Sequence, residues 1–549
     1  MTDPGLSLAA NTVNGKAREH ALASIDTATQ ATSLVAYRSN GHLLIIGAEA
    51  DAVAARERVP DGLACTLLST TNAVANADDS IYRARLISLR GHLGAFVAEV
   101  DGGNKRTINL AEANGIESSC FDLVLDLSPS PLITSAVPPP GYFAPAADTT
   151  ALDDAIAQIP ELVGEFEKPK YFEYDPSICA HSRSGVAGCR RCIDACPTDA
   201  IISMADGVEV NPYLCQGGGS CATACPSGAI RYAFPGADDL LESLRQMLRA
   251  YRDAEGDAAC VLFYDREHGH DILAQQAAEL GGNVLPIVVE EIGSVGLDVW
   301  LAVLAYGAER VMLLAHESVP AAVRREVDHQ LGIGHRLLAG MGYPAQRLSW
   351  MEATNFPDGV NVQADAAFGN AAAGFAGIGG KRAVLRMALD HLHDCASAST
   401  DCIELPDGAP FGAIRLDIDA CTLCMACVSV CPAGALEDGG DSPALRFIEW
   451  NCVQCGICES ACPEHAIRLE PRYLLDAGRR LSTRELKSEE PFRCVQCGTA
   501  FATPSVIRRM HEKLAGHWMF KDASAMRRLE MCEDCRVKDM FTDSANNAS

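Results

Sequence analysis

The chain has 549 residues, 48% of them hydrophobic, which allows sizeable cores and suggests about three to five domains. Its 45 basic and 72 acidic residues leave a net charge of −27. That balance argues against nucleic acid and an anionic membrane surface as partners, since both require a basic face. Most of the 24 cysteines fall in metal-like spacings, which points to a reducing compartment rather than to disulfides.

Residues 1–32 are polar, rich in Ala, Thr and Asn, and lack a charged-then-apolar leader pattern; a mobile segment is expected. Residues 33–150 read as a small α/β domain, with short strands at 33–37, 42–46, 86–89, 95–100 and 121–127 and a helix over 50–58. The stiff run Pro138-Pro139-Pro140-Gly141-Tyr142 closes it. It carries no dinucleotide fingerprint, Cys65 and Cys120 read as buried structural thiols, and the sequence assigns it no role. A connecting helix is expected over 152–166.

A cysteine-rich unit follows at 165–236. Its first run is Cys179, Cys189, Cys192 and Cys196 before Pro197; its second is Cys215, Cys221 and Cys225 before Pro226. Both resemble the C-x2-C-x2-C-x3-C-P run of dicluster ferredoxins, in which three close thiolates hold one cluster and the fourth reaches to the other. Both depart from it. Nine residues separate Cys179 from Cys189, so His181–Gly188 is expected to loop out flexibly through Ser182, Ser184, Gly185 and Gly188. Gly218 stands where a cysteine is due. The resemblance implies a 4Fe–4S cluster on Cys179, Cys189, Cys192 and Cys225. It leaves Cys196, Cys215 and Cys221 for a 3Fe–4S cluster, a 4Fe–4S cluster with one non-thiolate ligand, or no cluster. His181 reads as a polar loop residue, with a hydrogen bond to cluster sulfur as the alternative.

Residues 240–352 change character. Strands at 261–264, 284–289 and 310–314 alternate with helices at 271–280, 299–306 and 321–341, which implies a parallel sheet. The most apolar run, 297–314, is broken by Asp298, Glu309 and Arg310, too interrupted for a membrane span; a soluble cytoplasmic protein is expected. In the stretches 283–289, 305–312 and 347–352 this domain resembles the delta subunit of the methyl-viologen-reducing hydrogenase family, which docks onto heterodisulfide reductase and carries a 2Fe–2S cluster. Where that family places cysteines, this chain has Asp265, Glu290-Glu291 and His316. The resemblance therefore implies the fold and a docking role but no cluster. Cys260 is the region's single thiol, and His268, His270, His316, His329 and His335 show no metal spacing.

Residues 353–408 read as a helical connector with a helix over 381–396. Gly380-Lys381 fails as a phosphate loop, because Phe375 replaces the first glycine and Arg382 the magnesium-binding hydroxyl. Cys395 and Cys402 have no partner motif. The unit at 409–472 is the intact dicluster ferredoxin pattern, with strands at 411–418 and 446–449. Cys421, Cys424, Cys427 and Cys431 precede Pro432, and Cys452, Cys455, Cys458 and Cys462 precede Pro463. The resemblance implies one 4Fe–4S cluster on Cys421, Cys424, Cys427 and Cys462, and a second on Cys452, Cys455, Cys458 and Cys431. Met425 and Ile457 read as apolar shielding. In the tail, 485–540, Cys494-x2-Cys497 and Cys532-x2-Cys535 make a four-thiolate set around a helix at 504–514. Structural zinc is the first reading; a further iron–sulfur cluster and unligated thiols are the alternatives.

The expected fold class is α/β plus α+β: two ferredoxin-like dicluster domains interleaved with two small α/β domains, and a tail tied by a four-cysteine metal site. The expected function is single-electron transfer between a donor and an acceptor enzyme. By resemblance such chains serve formate dehydrogenases, hydrogenases or heterodisulfide-reductase-like complexes. The rival readings are a reductase acting at the three-thiolate site and a cluster-bearing assembly or redox-sensing factor. No acid–base set for a reductase is visible in the sequence.

Overall fold

The computed structural model describes residues 6–25, 33–70, 77–78, 81–146, 148–357, 360, 371–396, 400–440 and 442–546. Parts of the 1–32 lead-in and of the 353–408 connector lie outside them. The fold is mixed α/β, built from several small sheets.

In the N-terminal domain the strands Tyr142–Phe143, Leu123–Asp126, His42–Gly47, Ala64–Ser69 and Ile81–Arg83 lie parallel in that order, with Ala77–Asp78 antiparallel at the edge. Successive side chains point to opposite faces. Leu43, Ile45, Leu123 and Leu125 therefore enter one core, while Leu44, Ile46 and Val124 enter a second with Phe96 and Phe121.

Two expectations fail here for identifiable reasons. The helix expected over 152–166 stops early: Thr149–Gln158 and a 3-10 turn at Ile159–Leu162 give way to the strand Gly164–Pro169. That strand pairs antiparallel with Leu34–Ser39. The exposed Glu165 and Glu167 alternate with the half-buried Phe166 and Lys168, a strand period that outcompetes the helical one. The lead-in also contains a docked helix, Val13–Ala23, capped by Thr12. Ala17 and Ala21 are buried in the central core with Leu244 and Leu248 of the helix Ala237–Asp253. Arg18, 1% exposed, donates to Gly281 O at 2.8 Å and Ala9 O at 2.7 Å.

The central sheet is parallel, in the order Val284–Val289, Cys260–Asp265, Arg310–Ala315, Leu348–Glu352. The apolar 297–314 run supplies the buried helix Leu297–Ala305 and most of the third strand. No helix among the described residues is long and apolar enough to cross a membrane. Burial pushes the Cys260 thiol up to about 12, as for a structural cysteine.

The strand order reverses between Cys260–Asp265 and Arg310–Ala315, and the carboxyl ends of those two strands carry a hydrogen-bonded pair that the sequence did not reveal. His316 Nε2 lies 2.5 Å from Asp265 Oδ2, with side-chain exposures of 9% and 6%. The exposed His268 stacks on His316 at 5.2 Å. Against burial, which pushes it up, the His316 contact and the Gly269 N–H hold the Asp265 carboxyl below its ordinary range. His316→Ala strands that carboxylate. The expected cost is about 3 kcal/mol, read as a lower urea midpoint by tryptophan fluorescence; an unchanged midpoint refutes it.

Both cysteine-rich units are small antiparallel assemblies. The first pairs Phe172–Tyr174 with Ile230–Tyr232 and Ile201–Ser203 with Val208–Val210. The second places Ile467–Leu474 between Cys402–Glu404 and Gly412–Leu416, and Ala444–Ile448 between Leu436–Asp438 and Thr483–Ser488.

Candidate metal centres

In the 421–463 unit the second cysteine of each run sits between two left-handed residues. Leu423 (φ 54°) and Met425 (φ 59°) flank Cys424; Gln454 (φ 54°) and Gly456 (φ 82°) flank Cys455. That conformation costs energy for residues other than glycine, and here it curls each loop. The third cysteine of each run lies on a short helix, Ala426–Val430 or Ile457–Ala461. Each helix ends at the fourth cysteine, whose following proline cannot extend it.

The fourth cysteine crosses over in each case. Cys431, Cys452, Cys455 and Cys458 line one small pocket. Cys421, Cys424, Cys427 and Cys462 line another. The structure thus brings together the cysteines of each quartet that the spacing groups. Ile457 lines the first and Met425 the second, as apolar shielding. N–H groups point at the sulfurs: Ala435 N donates to Cys431 Sγ and Ala466 N to Cys462 Sγ, both at 3.3 Å, and Gln454 Nε2 to Cys452 Sγ at 3.2 Å. Burial, then the neighbouring sulfurs, pushes the Cys427 thiol up to about 12. A group of sulfurs so enclosed favours a cationic core that displaces the protons. The residues present therefore fit iron–sulfur clusters.

The 179–225 unit keeps this plan with two alterations. Burial pushes the Cys189 thiol up to about 11, with Cys225 and Cys179 adding to it. Cys192 is raised by burial and by the same neighbours, so the predicted quartet is brought together. Cys221 is raised by burial and then by Cys215 and Cys196, which gathers the predicted trio. The insertion after Cys179 is not a flexible loop. Ser182–Arg183 pairs with Val186–Ala187 through Ser184 (φ 54°) and Gly185 (φ 75°), a two-residue hairpin turn of the kind that matches strand twist. His181 is buried and spends both ring nitrogens on this hairpin's seat, Nδ1 at 2.7 Å from Cys189 O and Nε2 at 2.7 Å from Ser203 Oγ. Neither nitrogen is directed to a cysteine sulfur.

At Gly218 the loop geometry survives the lost thiol. Gly217 (φ 80°) and Gly219 (φ 70°) flank it as Leu423 and Met425 flank Cys424. The loop is covered on two sides. Gln216 Nε2 donates to Pro138 O at 2.7 Å, and a Cβ on Gly293 would meet Gly218 O at 2.5 Å.

The four cysteine groups neighbour one another in succession, which the sequence did not reveal. Cys192 adds to the raised pKa of Cys221 within the first unit, and Cys427 to that of Cys458 within the second. Between units the link is Cys189 and Cys455. Burial first, then Cys452, Cys431 and Cys189, brings Cys455 up to about 12. At this junction Gly188 abuts the second unit so closely that a Cβ would lie 2.3 Å from Ile457 Cγ1. The rejected phosphate loop is a clamp across the same junction. Lys381 Nζ donates to Ala222 O at 2.8 Å and Thr223 O at 2.6 Å in the first unit. Arg382 donates to Pro410 O at 2.6 Å, to Trp450 O, and to Cys452 O at 3.4 Å beside the second. Burial lowers the Arg382 pKa to about 10, with Cys452 opposing, so it is charged at neutral pH.

The tail is a different kind of site. Among the described residues, Cys494, Cys497, Cys532 and Cys535 alone form a metal-ligand group with all ligand atoms within 4.8 Å of one another. Cys497 Sγ and Cys532 Sγ are 3.6 Å apart. Four thiolates about 2.3 Å from one tetrahedral ion stand about 3.8 Å apart. The geometry fits a single ion, where a cube of four irons needs wider spacing. Against burial, N–H groups of Cys532, Cys497 and Gln496 bring the Cys494 thiol down to about 6. The expected helix is present at Pro504–Leu514.

Comparison with known families agrees with this geometry. Residues 413–463 match a 4Fe-4S dicluster domain, and residues 176–199 and 208–231 each match a 4Fe-4S binding domain. No curated protein matches the chain. The chain is thus an iron–sulfur protein with ferredoxin-type domains, which fits an electron-transfer role.

Proposed function

We propose that this chain relays single electrons along a row of four iron–sulfur centres between a donor and an acceptor enzyme. Cys421, Cys424, Cys427 and Cys462 hold one 4Fe–4S cluster; Cys431, Cys452, Cys455 and Cys458 a second; Cys179, Cys189, Cys192 and Cys225 a third. Cys196, Cys215 and Cys221 hold a three-thiolate cluster, read as 3Fe–4S. Such clusters supply one-electron steps at potentials set by charge, hydrogen bonding and solvent access. The protein's part is to position and shield them. The tail set Cys494, Cys497, Cys532 and Cys535 holds structural zinc, which has no redox step.

The observation that carries the relay is the approach of Cys189 to Cys455 across the Gly188–Ile457 contact. It makes two separate ferredoxin units one path. The packing of Gly293 over the Gly218 loop favours relay over substrate reduction at the three-thiolate site. By its resemblance to the hydrogenase delta subunit, the central domain supplies the docking face; a formate dehydrogenase or heterodisulfide-reductase-like system is the class of partner this suggests.

Anaerobic iron and sulfide analysis with EPR tests the reading. Four centres per chain are expected, and two or fewer would sink it. Gly188→Val should leave the iron count unchanged while slowing electron equilibration between the units in rapid-freeze EPR. Unchanged kinetics would count against passage at this contact.

A further inference from the structure

We infer that Lys168, Arg382 and Lys487 tune the row: each brings a cation to the carbonyl of the first cysteine of one run and raises the reduction potential of the centre held there. The inference rests on the relay reading. None of the three lies inside a cysteine run. Lys168 is on the strand Gly164–Pro169, Arg382 on the helix Lys381–Asp394 and Lys487 on the strand Thr483–Ser488. They nevertheless converge on one backbone position. Lys168 Nζ donates to Cys215 O at 2.6 Å, Arg382 Nη2 to Cys452 O at 3.4 Å, and Lys487 Nζ to Cys421 O at 2.5 Å. Among the described hydrogen bonds, no lysine or arginine does the same at Cys179.

The company these cations keep is the second observation. Among the described residues, no carboxylate pairs with Lys168 or Arg382. Lys168 has instead Tyr213 O at 3.0 Å and the Tyr37 ring at 4.9 Å. The Arg382 guanidinium lies 4.6 Å from the Trp450 ring centroid and 5.1 Å from that of Phe411. Taking a cation out of water without an anion is costly. A cluster core bound by three or four thiolates is a net anion, so each enclosed cation gains its counter-charge from the centre it faces. Adding an electron makes that centre more negative. The cation therefore stabilises the reduced form more than the oxidised one, and the potential rises.

The effect should differ along the row. Lys487 also pairs with Glu489 at 2.9 Å, which offsets its charge. Arg191, beside Cys189 and Cys192, is likewise offset by Glu326 at 2.6 Å. The Cys215 and Cys452 centres are thus raised most and the Cys421 centre less, and the Cys179 centre lies between the first two as the low-potential point.

The test is an EPR-monitored redox titration of the full-length protein with its clusters loaded. Iron and sulfide are counted first; if the native chain does not load, the relay reading itself fails, whereas loading with unmoved potentials overturns only this inference. Arg382→Met should make one signal at least tenfold harder to reduce, 59 mV for a single electron, and leave the others in place. Arg382→Lys should restore it. Lys168→Met should shift a different signal in the same direction and remains informative if Arg382→Met does not fold. Loaded neutral variants whose potentials all stay within twofold of native, or all move together, overturn the assignment.

Discussion

Gly218→Cys is expected to add one iron per chain and to replace a three-iron EPR signal with a four-iron one. The backbone already holds the conformation of a ligand loop, since Gly217 and Gly219 are left-handed on either side. Gly218 itself lies outside that region, and its new Cβ would stand 3.4 Å from Pro197 Cγ, an ordinary contact. A side chain there also restricts the unfolded chain more than glycine does, which favours folding by roughly 0.4–1 kcal/mol. The fourth thiolate therefore arrives in a loop that needs no rearrangement. Gly219→Ala is the contrasting control. Its φ of 70° is unfavourable for alanine, and its Cβ would lie 2.3 Å from Ser294 Cα. It should lose iron at the Cys196, Cys215 and Cys221 site. Iron content and signal unchanged by Gly218→Cys would mean that the site is empty or already holds four irons.

The contrast between these neighbouring glycines marks what the sequence could disclose. The grouping of the cysteines in space was legible because it is local. Three cysteines at fixed spacing, a short helix and a proline stop define half a site, and a second copy supplies the crossing thiolate; the cavities gather those same quartets. The helix Pro504–Leu514 was legible for a similar reason: Thr503 caps it by accepting from Val506 N–H, and proline occupies its first position. What stayed hidden depends on partners far along the chain. Arg18 reads as a solvated residue until the 281–284 backbone accepts from it. Lys381 and Arg382 look like a spoiled phosphate loop until residues about 160 positions earlier and 70 later arrive at their side chains. The Asp265–His316 pair spans 51 residues of sequence and exists only because parallel strands bring their carboxyl ends together. The hairpin at 182–187 is different, since its Ser184-Gly185 turn was in plain view. Four polar or small residues suggest flexibility, where two left-handed positions specify a turn.

If the four tail thiolates hold zinc as proposed, removing it by chelation or by Cys532→Ser is expected to unfold residues 490–546 and leave any iron bound in the 402–488 region in place. The tail has little else to hold it. Its buried cluster consists of Cys494, Met531 and Cys535, with Phe501 and Cys532 packed against it, and three of those five are the ligands themselves. Fully burying one large apolar side chain is worth about 1.5–3 kcal/mol, and the tail's apolar core beyond its cysteines amounts to little more than Met531, Phe501, Ile507 and Leu529. The contacts to the ferredoxin unit are few. Thr503 Oγ1 donates to Thr422 O at 3.0 Å, and Glu464 pairs with Arg509 and Lys513, each at 2.7 Å. Half-exposed ion pairs of this kind contribute at most about 1 kcal/mol. A structural zinc supplies about 10–16 kcal/mol in small peptides, which would make it the largest single contribution to the tail. Limited trypsin digestion reads the outcome, because Arg508, Arg527 and Lys538 become cleavable once the tail opens. Metal analysis of the untreated protein should find one zinc per chain beside the iron. A tail that stays protease-resistant after the metal is gone would show that packing against the 402–488 unit, rather than the four thiolates, defines its fold.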